Sequence, residues 1–381
     1  MYAALRDVDP VHHVEDGDYW VLSRFSDVFA AARDTATFSS AQGLTFHYGD
    51  LDAAGLAEAT PMVMLDPPEH TAFRRLVAQG FTPRRVMGLE PEVRSFVVER
   101  IDHLRRRGEG DIVAELFKPL PSMVVAHYLG VPPPERSRFD VWTDAIVAAN
   151  AQGDALSASD AVGELFEYFS DLIVRRRADP GDDTISALVA AHDSAAHGTD
   201  PVPILRILGF AFTMVAGGND TTTGMLGGSA ELLTSRPDQR ALLLDDPERI
   251  GDAVDELLRL TSPVQGLART TTRDVEIDGT TIPAGRKVML LYAAANRDPR
   301  EFGADADELD VVRRPRQILT FSYGAHHCLG AAVARLQARV VLEELLARCP
   351  RFEVDAERAT FAPGHFVRRH QTLPFLTDVD A

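Results

Sequence analysis

The segment FSYGAHHCLG, residues 321–330, places Cys328 directly before a stretch with helical apolar spacing. Gly324 and Gly330 allow the backbone to turn here and to approach a bound group closely. The unpaired N–H groups at a helix N-terminus lower the pKa of a cysteine and stabilise its thiolate. We therefore expect Cys328 to be available as a thiolate ligand to a metal.

Two other interpretations of Cys328 stay open on these residues alone. A cysteine beside glycines is often a small buried hydrophobic residue. A zinc site made of His326, His327 and Cys328 is a further alternative, but adjacent residues converge poorly on a tetrahedral ion. No second Cys/His cluster in the sequence is spaced to complete such a site.

A second segment that could do chemistry is AGGNDTTT, residues 216–223, in the middle of a long apolar helical stretch from Pro203 to Leu233. Each interior glycine costs a helix about 1 kcal/mol relative to alanine, so Gly217 and Gly218 indicate a groove for a flat ligand. We expect Thr221 to bond to the Gly217 carbonyl and to open the helix locally, leaving room for dioxygen or water. Asp220 and Thr221 would then relay protons to a buried oxygen species. The alternative is a kink whose polar residues only satisfy backbone groups.

Composition limits the class of protein that carries these segments. The chain has 381 residues, 45% hydrophobic and 25% charged, which is typical of a folded globular protein. Its net charge of −18 opposes binding to nucleic acid and to anionic membrane surfaces. With no run of roughly 18 apolar residues and no secretory leader, we expect a cytoplasmic protein. Cys328 and Cys349 would lie about 30 Å apart on one continuous helix, too far for a disulfide.

The elements that must position these residues are mostly helices. From about Pro83 to Leu260 the apolar spacing is helical throughout, with few strand signals. Residues 19–22 form one short strand pattern, and VEIDGTTIPAGRKVMLLY, residues 275–292, resembles a hairpin with turns at Asp278-Gly279 and Ala284-Gly285. The sequence predicts a mainly α protein with small β-sheets. The absence of repeats and long linkers predicts a single domain, residues 1–381.

The pattern around Cys328 resembles the haem-binding loop of the cytochrome P450 family in six residues: Phe321, Gly324, His326, Cys328, Gly330 and Ala334. The resemblance covers about residues 11–374 and implies the single-domain cytochrome P450 fold, with haem b (iron protoporphyrin IX) as cofactor and Cys328 as the ligand of its iron. Thiolate ligation favours cleavage of the O–O bond. The sequence departs from the family pattern at Ser322, where glycine is commoner, and at Gln337, where glutamate is usual.

The resemblance also assigns roles to residues outside the loop. Asp220 and Thr221 correspond to the family's acid–alcohol pair, and Gly217 to the surface against the haem. A buried haem needs cations to offset its two propionates, and the resemblance assigns these contacts to four residues: His70, Arg74, Arg269 and His326. Glu256 and Arg259 resemble the family's helix ion pair, which Arg313 would complete to support the cysteine loop.

The implied activity is a monooxygenase that inserts one atom of O2 into a lipophilic small molecule, by hydroxylation or epoxidation. No flavin or dinucleotide fingerprint occurs, so we expect a separate ferredoxin and an NAD(P)H-linked ferredoxin reductase to supply electrons to a monomeric enzyme. Four arginines could form a basic docking face: Arg74, Arg75, Arg335 and Arg339.

The segments expected to line the substrate pocket are residues 42–64, 209–213, 264–267 and 365–367, with Gln265 and His365 as polar anchors. Such a mostly apolar pocket suits a terpenoid, steroid, fatty acid or polyketide. Two other functions are alternatives. A peroxide-driven peroxygenase would not need the acid–alcohol pair, and a non-catalytic haem gas sensor or carrier would need no proton relay at all.

Overall fold

The computed structural model describes residues 1–49, 60–136, 141–142, 145, 159–194 and 203–377. Helices predominate and the sheets are small, as the sequence predicts. The α-helices of the described residues are, in chain order, α1 (Tyr2–Val8), α2 (Phe25–Arg33), α3 (Glu69–Val77), α4 (Pro83–Gly88), α5 (Glu90–Arg107), α6 (Pro119–Tyr128), α7 (Ser159–Ala178), α8 (Thr184–Ser194), α9 (Ile204–Ser235), α10 (Pro237–Asp245), α11 (Ile250–Thr261), α12 (Tyr292–Ala295), α13 (Pro299–Phe302) and α14 (Ala331–Arg348).

The strands of the described residues form small sheets beside the helices. They are β1 (Val11–Val14), β2 (Tyr19–Leu22), β3 (Phe38–Ser39), β4 (Glu109–Asp111), β5 (Leu267–Thr271), β6 (Val275–Ile277), β7 (Thr280–Ile282), β8 (Lys287–Leu290), β9 (Glu353–Val354), β10 (Thr360–Phe361), β11 (His370–Thr372) and β12 (Pro374–Leu376). The largest sheet has the order β1-β2-β8-β5-β3, in which β2 and β8 run parallel and the other pairs antiparallel. The other sheets are β4-β12-β9, β6-β7 and β10-β11.

The predicted hairpin is present, but only its first two strands pair with each other. Strands β6 and β7 turn at Asp278 and Gly279, whose φ angles of +51° and +76° suit a tight hairpin turn. Strand β8 instead joins the five-stranded sheet between β2 and β5. The second turn, at Ala284-Gly285, therefore carries the chain from one sheet to another.

Helix α9 lies where two hydrophobic cores meet. Its N-terminal half, including Ile207 and Phe210, packs in a core shared with α3, α6, α7 and α8. Its C-terminal half, including Met225 and Leu233, packs in a core with α5, α11 and α14. Because one helix contributes to both cores, the two parts of the molecule cannot separate without exposing apolar surface.

Helix α11 shows why these segments fold as buried helices. Its buried apolar residues recur with spacings of three and four, at Ile250, Ala253, Val254, Leu257 and Leu258, and so form one face. That face packs in the same core as α14, the helix that follows Cys328.

Among the described residues, no helix combines the length and apolarity needed to cross a membrane.

Candidate active site

The loop before α14 presents the sulfur of Cys328. The chain makes a short 3₁₀ turn at Gly324–His326, and the Cys328 amide then donates to the Phe321 carbonyl at 2.8 Å. The backbone N–H of Gly330 donates to the Cys328 sulfur. The Cys328 side chain remains accessible, whereas Cys349, at the other end of α14, is buried. Both are free thiols, as the predicted spacing requires.

The expectation of a lowered pKa at Cys328 is wrong. Burial raises the pKa of this thiol, and the Gly330 N–H, Arg74 and Arg335 only partly oppose that effect. The sulfur is accessible to contact yet lies deep in the fold, and depth governs its ionisation because the thiolate loses the hydration of bulk water. The Gly330 N–H lowers the pKa of the thiol less than burial raises it, and a metal cation at the sulfur would lower that pKa further.

The backbone of the loop needs unusual conformations at two residues. Gly324 has φ +70°, and a Cβ there would lie 3.0 Å from the Ala32 carbonyl oxygen. Ser322 also has positive φ, +55°, which explains why a glycine is commoner at this position. The Tyr292 hydroxyl donates to Ser322 Oγ at 3.1 Å and so anchors the serine.

Two further residues of the pattern around Cys328 pack against the protein interior. Phe321 is buried beneath the guanidinium of Arg335, which lies 4.6 Å from the ring centroid. Ala334, in the first turn of α14, is partly buried against the core, and its amide donates to the Gly330 carbonyl at 2.9 Å. Gln337, the other departure from the family pattern, is buried, and its amide nitrogen lies 3.4 Å from the Val333 carbonyl oxygen.

Four cationic or ionisable side chains converge beside the loop: His70 and Arg74 on α3, Arg269 on β5, and His326 in the loop itself. The rings of His70 and His326 lie 4.2 Å apart between centroids. Burial, followed by the charges of Arg269, His70 and Arg74, lowers the pKa of His326 to about 3. Cationic side chains therefore dominate the cluster, although the Asp66 carboxylate lies within electrostatic range of His70.

None of the donors in this cluster is paired with a carboxylate side chain within the described part of the chain. Arg74 donates to the His327 carbonyl at 2.5 Å, and Arg269 to the carbonyl of its neighbour Ala268 at 2.8 Å. Both ring nitrogens of His70 lack a hydrogen-bond partner, although its side chain is only 1% exposed. Buried polar groups are rarely left unpaired, so the cluster has the character of a site for an anionic group.

Helix α9 carries the predicted hydrogen bond but not the predicted opening. Thr221 Oγ1 donates to the Gly217 carbonyl at 2.9 Å, which confirms that expectation. The helix nevertheless continues unbroken from Ile204 to Ser235. The two glycines, Gly217 and Gly218, have different surroundings. A Cβ at Gly217 would meet nothing within 4 Å, whereas one at Gly218 would lie 2.7 Å from Val125 of α6.

The carboxylate of Asp220 forms an ion pair that the sequence analysis missed. Its Oδ1 lies 2.6 Å from Nε of Arg369, and both side chains are largely buried. Arg369 stands in the run FVRRH near the C-terminal end of the sequence, which no motif singles out. Only the tertiary fold brings the two residues together.

The predicted ion network on α11 is present and fully buried at its centre. Arg259 binds both carboxylate oxygens of Glu256 at 2.7 Å, and Nε of Arg313 lies 3.2 Å from Glu256. The zinc alternative for His326, His327 and Cys328 finds no support, because no group of three or more potential ligand side chains converges anywhere in the described ranges.

Comparison with known proteins decides the family. A family model for Cytochrome P450 matches residues 250–367. Cytochrome P450 130 of Mycobacterium tuberculosis is 65% identical over 98% of this chain and 94% of the relative. The chain belongs to the cytochrome P450 family. The Vitamin D(3) 25-hydroxylase of Pseudonocardia autotrophica is 37% identical over 98% of this cytochrome P450 and 92% of the relative.

Solved structures agree with this assignment. Cytochrome P450 CYP268A2 of Mycobacterium marinum, in complex with pseudoionone, matches with a TM-score of 0.89 and 33% identity, covering 98% of this chain and 93% of that one. This P450 is therefore a monooxygenase with haem b as its cofactor. The described residues fit such a group: a Cβ at Gly217 would meet nothing within 4 Å, and the unpaired ring nitrogens of His70 and the charges of Arg74 and Arg269 suit its carboxylates.

The pocket segments of this P450 are only partly as predicted. The amide of Gln265 is occupied on both sides, since it accepts from the Tyr2 hydroxyl at 2.5 Å and donates to the Ser262 carbonyl at 2.8 Å. Both partners lie within the chain, and the role of Gln265 as a polar anchor stays a prediction. His365 lies beside Phe46, with 6.1 Å between ring centroids. Residues 50–59 of the predicted segment 42–64 lie outside the described residues.

The four arginines of the predicted docking face differ in their surroundings. Arg335 pairs with Asp255 at 2.7 Å, and Arg339 with Glu90 at 2.5 Å, so both charges are already offset within the chain. Arg74 is half-buried under the His327 carbonyl, whereas Arg75 is exposed. A basic face formed by all four is therefore weaker than the sequence suggests.

Proposed function

We propose that this P450 inserts one atom of O2 into a lipophilic small molecule, with Cys328 as the residue that would hold the haem iron and the whole chain, residues 1–381, as one catalytic domain. One observation carries the assignment of the site. Arg74 lies within electrostatic range of both the Cys328 sulfur and His326, so the thiol and the cation cluster border the same space.

The residues around that space have separable tasks in the proposal. His70, Arg74, Arg269 and His326 offset the propionate charges, which would otherwise be costly to bury. Gly217, where a Cβ would meet nothing within 4 Å, would leave room for a flat group beside α9. Phe321, Gly324, Gly330 and Ala334 hold the loop, and the Gly330 N–H donates to the sulfur. When bound, haem supplies the activation of O2 through its thiolate-ligated iron.

Asp220 and Thr221 form the proton relay in this proposal. The Thr221 hydroxyl is held to the Gly217 carbonyl, at the point where a Cβ on α9 would meet no neighbouring atom within 4 Å. The Asp220 carboxylate is the adjacent proton-carrying group along the helix. Together they can hold and pass a proton towards the face of the helix that Gly217 leaves clear. A peroxide-driven enzyme would not need this pair.

The substrate class and the electron source are the finer parts of the proposal. The relatives include a vitamin D(3) hydroxylase and a mycinamicin IV hydroxylase/epoxidase, and one solved neighbour holds pseudoionone. These compounds support a terpenoid, steroid or polyketide substrate, and a fatty acid stays in the proposal because another solved neighbour is in complex with hexadec-9Z-enoic acid ligated to an acyl carrier protein. We propose that a ferredoxin and its NAD(P)H-linked reductase supply electrons to a monomeric enzyme in the cytoplasm. Arg75 is exposed on the surface of this enzyme and is available for docking of the ferredoxin.

The first experiment is the carbon monoxide difference spectrum of the purified, dithionite-reduced protein. Thiolate ligation gives a strongly red-shifted Soret band, and Cys328→Ser should lose it. The matched control is Cys349→Ser, which changes the other cysteine, buried at the far end of α14. A thiolate band that survives Cys328→Ser would overturn the assignment. Spin-state titrations with vitamin D3 and pseudoionone then test the substrate class.

A further inference from the structure

One face of α9 carries the stripe Asp220, Gly224, Gly227 and Glu231, and this stripe receives a segment from the C-terminal part of the chain. The four residues have spacings of four, three and four, so they lie along one side of the helix. Arg369 pairs with Asp220 at 2.6 Å at one end of the stripe, and His370 Nε2 lies 3.2 Å from Glu231 at the other. We call residues 368–370 the strap.

The two glycines form the floor on which the strap lies. A Cβ at Gly224 would lie 2.6 Å from the Arg368 carbonyl oxygen, and one at Gly227 would lie 2.7 Å from the His370 ring. The strap backbone therefore touches the helix directly, one turn from Asp220. Any larger residue at Gly224 would push the strap away and lengthen the ion pair.

The strap also continues into the segment expected to line the substrate pocket. Arg368 N donates to the Pro263 carbonyl at 2.8 Å, and Val367 forms a bridge with Val264. The backbone carbonyl of Phe366 accepts from the backbone N–H of Gln265 at 2.8 Å. Residues 365–367 and the strap are therefore one continuous piece of backbone, anchored to the 263–265 segment on one side and to α9 on the other.

We propose that Arg369 is a positioning residue for proton delivery. It orients the Asp220 carboxylate and couples that orientation to the position of residues 365–367. The inference rests on the proposed relay role of Asp220. Arg369 holds one carboxylate oxygen through Nε, in a largely buried pair where charge-assisted hydrogen bonds are strong and directional. The carboxylate is thereby kept at one angle to the helix, beside Thr221.

The first test needs no turnover and measures the anchoring directly. Hydrogen–deuterium exchange of the holoprotein is followed in peptides that cover residues 363–372. Arg369→Gln should speed exchange of the Arg368 amide about tenfold or more, because the ion pair that holds the strap is lost. Arg368→Gln is the matched control on the same strap, since its guanidinium lies over Phe361, at 4.2 Å, rather than on Asp220. Equal exchange in wild type and Arg369→Gln would overturn the anchoring.

The second test asks whether Arg369 acts through Asp220. NADPH oxidation is measured in H2O and D2O with a ferredoxin, its reductase and pseudoionone as the probe compound. Arg369→Gln should slow oxidation about tenfold and raise the solvent isotope effect, because a misdirected carboxylate transfers protons poorly. Arg369→Lys should recover part of the rate, and Arg368→Gln should match the wild type.

The decisive comparison is a double-mutant cycle with Asp220→Asn. If Arg369 works by orienting Asp220, Arg369→Gln should cause no further slowing in the Asp220→Asn background. Multiplied effects would show that Arg369 acts elsewhere and would overturn the inference. A preparation without the thiolate band, or without NADPH oxidation in the wild type, would instead count against the proposed function, and the exchange measurement would still decide the anchoring.

Discussion

Arg259 holds both carboxylate oxygens of Glu256 at 2.7 Å, with neither side chain exposed to solvent. The remaining Arg259 donors reach the carbonyls of Asn296, at 2.7 Å, and Ala306, at 2.5 Å. Arg313 adds a second cation at 3.2 Å from Glu256. A buried pair of this kind is tolerated because nearly every donor and acceptor is satisfied, and it ties α11 to the chain that leads into the cysteine loop.

Replacing Glu256 with glutamine should therefore be severely destabilising. The change leaves the fully buried Arg259 without a compensating charge, whereas Arg313 keeps its ion pair with Asp305, at an expected cost of about 3–5 kcal/mol in the free energy of unfolding. Urea unfolding of the purified protein measures the loss. The control is Arg314→Gln, which removes an ion pair with Asp252 on the same helix but at a residue that is 78% exposed, and should cost less than about 1 kcal/mol. Similar losses in the two variants would argue against a structural role for the buried network.

The conformation of Gly324 makes a second prediction about the loop. Gly324→Ala combines a left-handed backbone with a Cβ that would lie 3.0 Å from the Ala32 carbonyl oxygen. Gly279→Ala imposes similar φ strain, at +76°, but its Cβ would meet nothing within 4 Å. We expect Gly279→Ala to cost about 1 kcal/mol and Gly324→Ala distinctly more, with a loss of bound haem. Unfolding curves and the haem-to-protein absorbance ratio compare the two, and equal losses would show that the contact with Ala32 is unimportant.

Features encoded by neighbouring residues were predictable from the sequence. The turn at Asp278-Gly279, the Thr221 bond to Gly217 and the pairing of Glu256 with Arg259 each depend on residues no more than four apart. Their geometry follows from helix and hairpin periodicity, whatever surrounds them. The mainly α architecture follows from the same periodicity.

Features that depend on distant segments or on packing density were not predictable. The Tyr2 hydroxyl donates a hydrogen bond to the side chain of Gln265, 263 positions away in the sequence. Arg369, in a segment that carries no motif, forms an ion pair with Asp220. The pKa of Cys328 was expected to fall because the sequence shows the helix that follows it. It rises because the surrounding protein removes water, and only the folded structure shows that burial.

The hydroxyl of Thr221 makes a prediction about the fate of electrons. Thr221→Ala should leave binding of pseudoionone unchanged but raise the hydrogen peroxide formed per NADPH consumed severalfold, because no hydroxyl would then hold and pass a proton at this point of α9. Thr222→Ala is a close control. Its hydroxyl makes the same kind of bond, to the Gly218 carbonyl at 3.2 Å, but on the side of α9 that packs against α6. An unchanged peroxide yield in Thr221→Ala would remove this residue from the relay.

Tyr128 provides a test of pH-dependent stability away from the active site. Its ring stacks on Phe81 with 4.5 Å between centroids, and its hydroxyl has no hydrogen-bond partner although the residue is only 7% exposed. Burial raises the pKa of Tyr128 to about 12, against a small opposing effect of Arg85. The folded state therefore keeps its proton in a range where the unfolded chain releases it, which is above about pH 10.

The sign of the effect follows from this difference in proton binding. Burial favours the protonated phenol of Tyr128 over the ionised one in the folded protein. The free energy of unfolding that comes from this preference is complete below about pH 10. It is lost as the pH rises towards 12, because the unfolded state binds fewer protons there. Tyr128→Phe removes this loss of stability at high pH. At pH 7 it also removes an unpaired buried hydroxyl, which destabilises the folded protein by about 1 kcal/mol. The variant should thus be somewhat more stable than the wild type at pH 7, and the gap should widen at pH 11 in urea unfolding experiments. A gap that stays constant between pH 7 and pH 11 would mean that the Tyr128 phenol ionises as readily in the folded protein as in the unfolded chain.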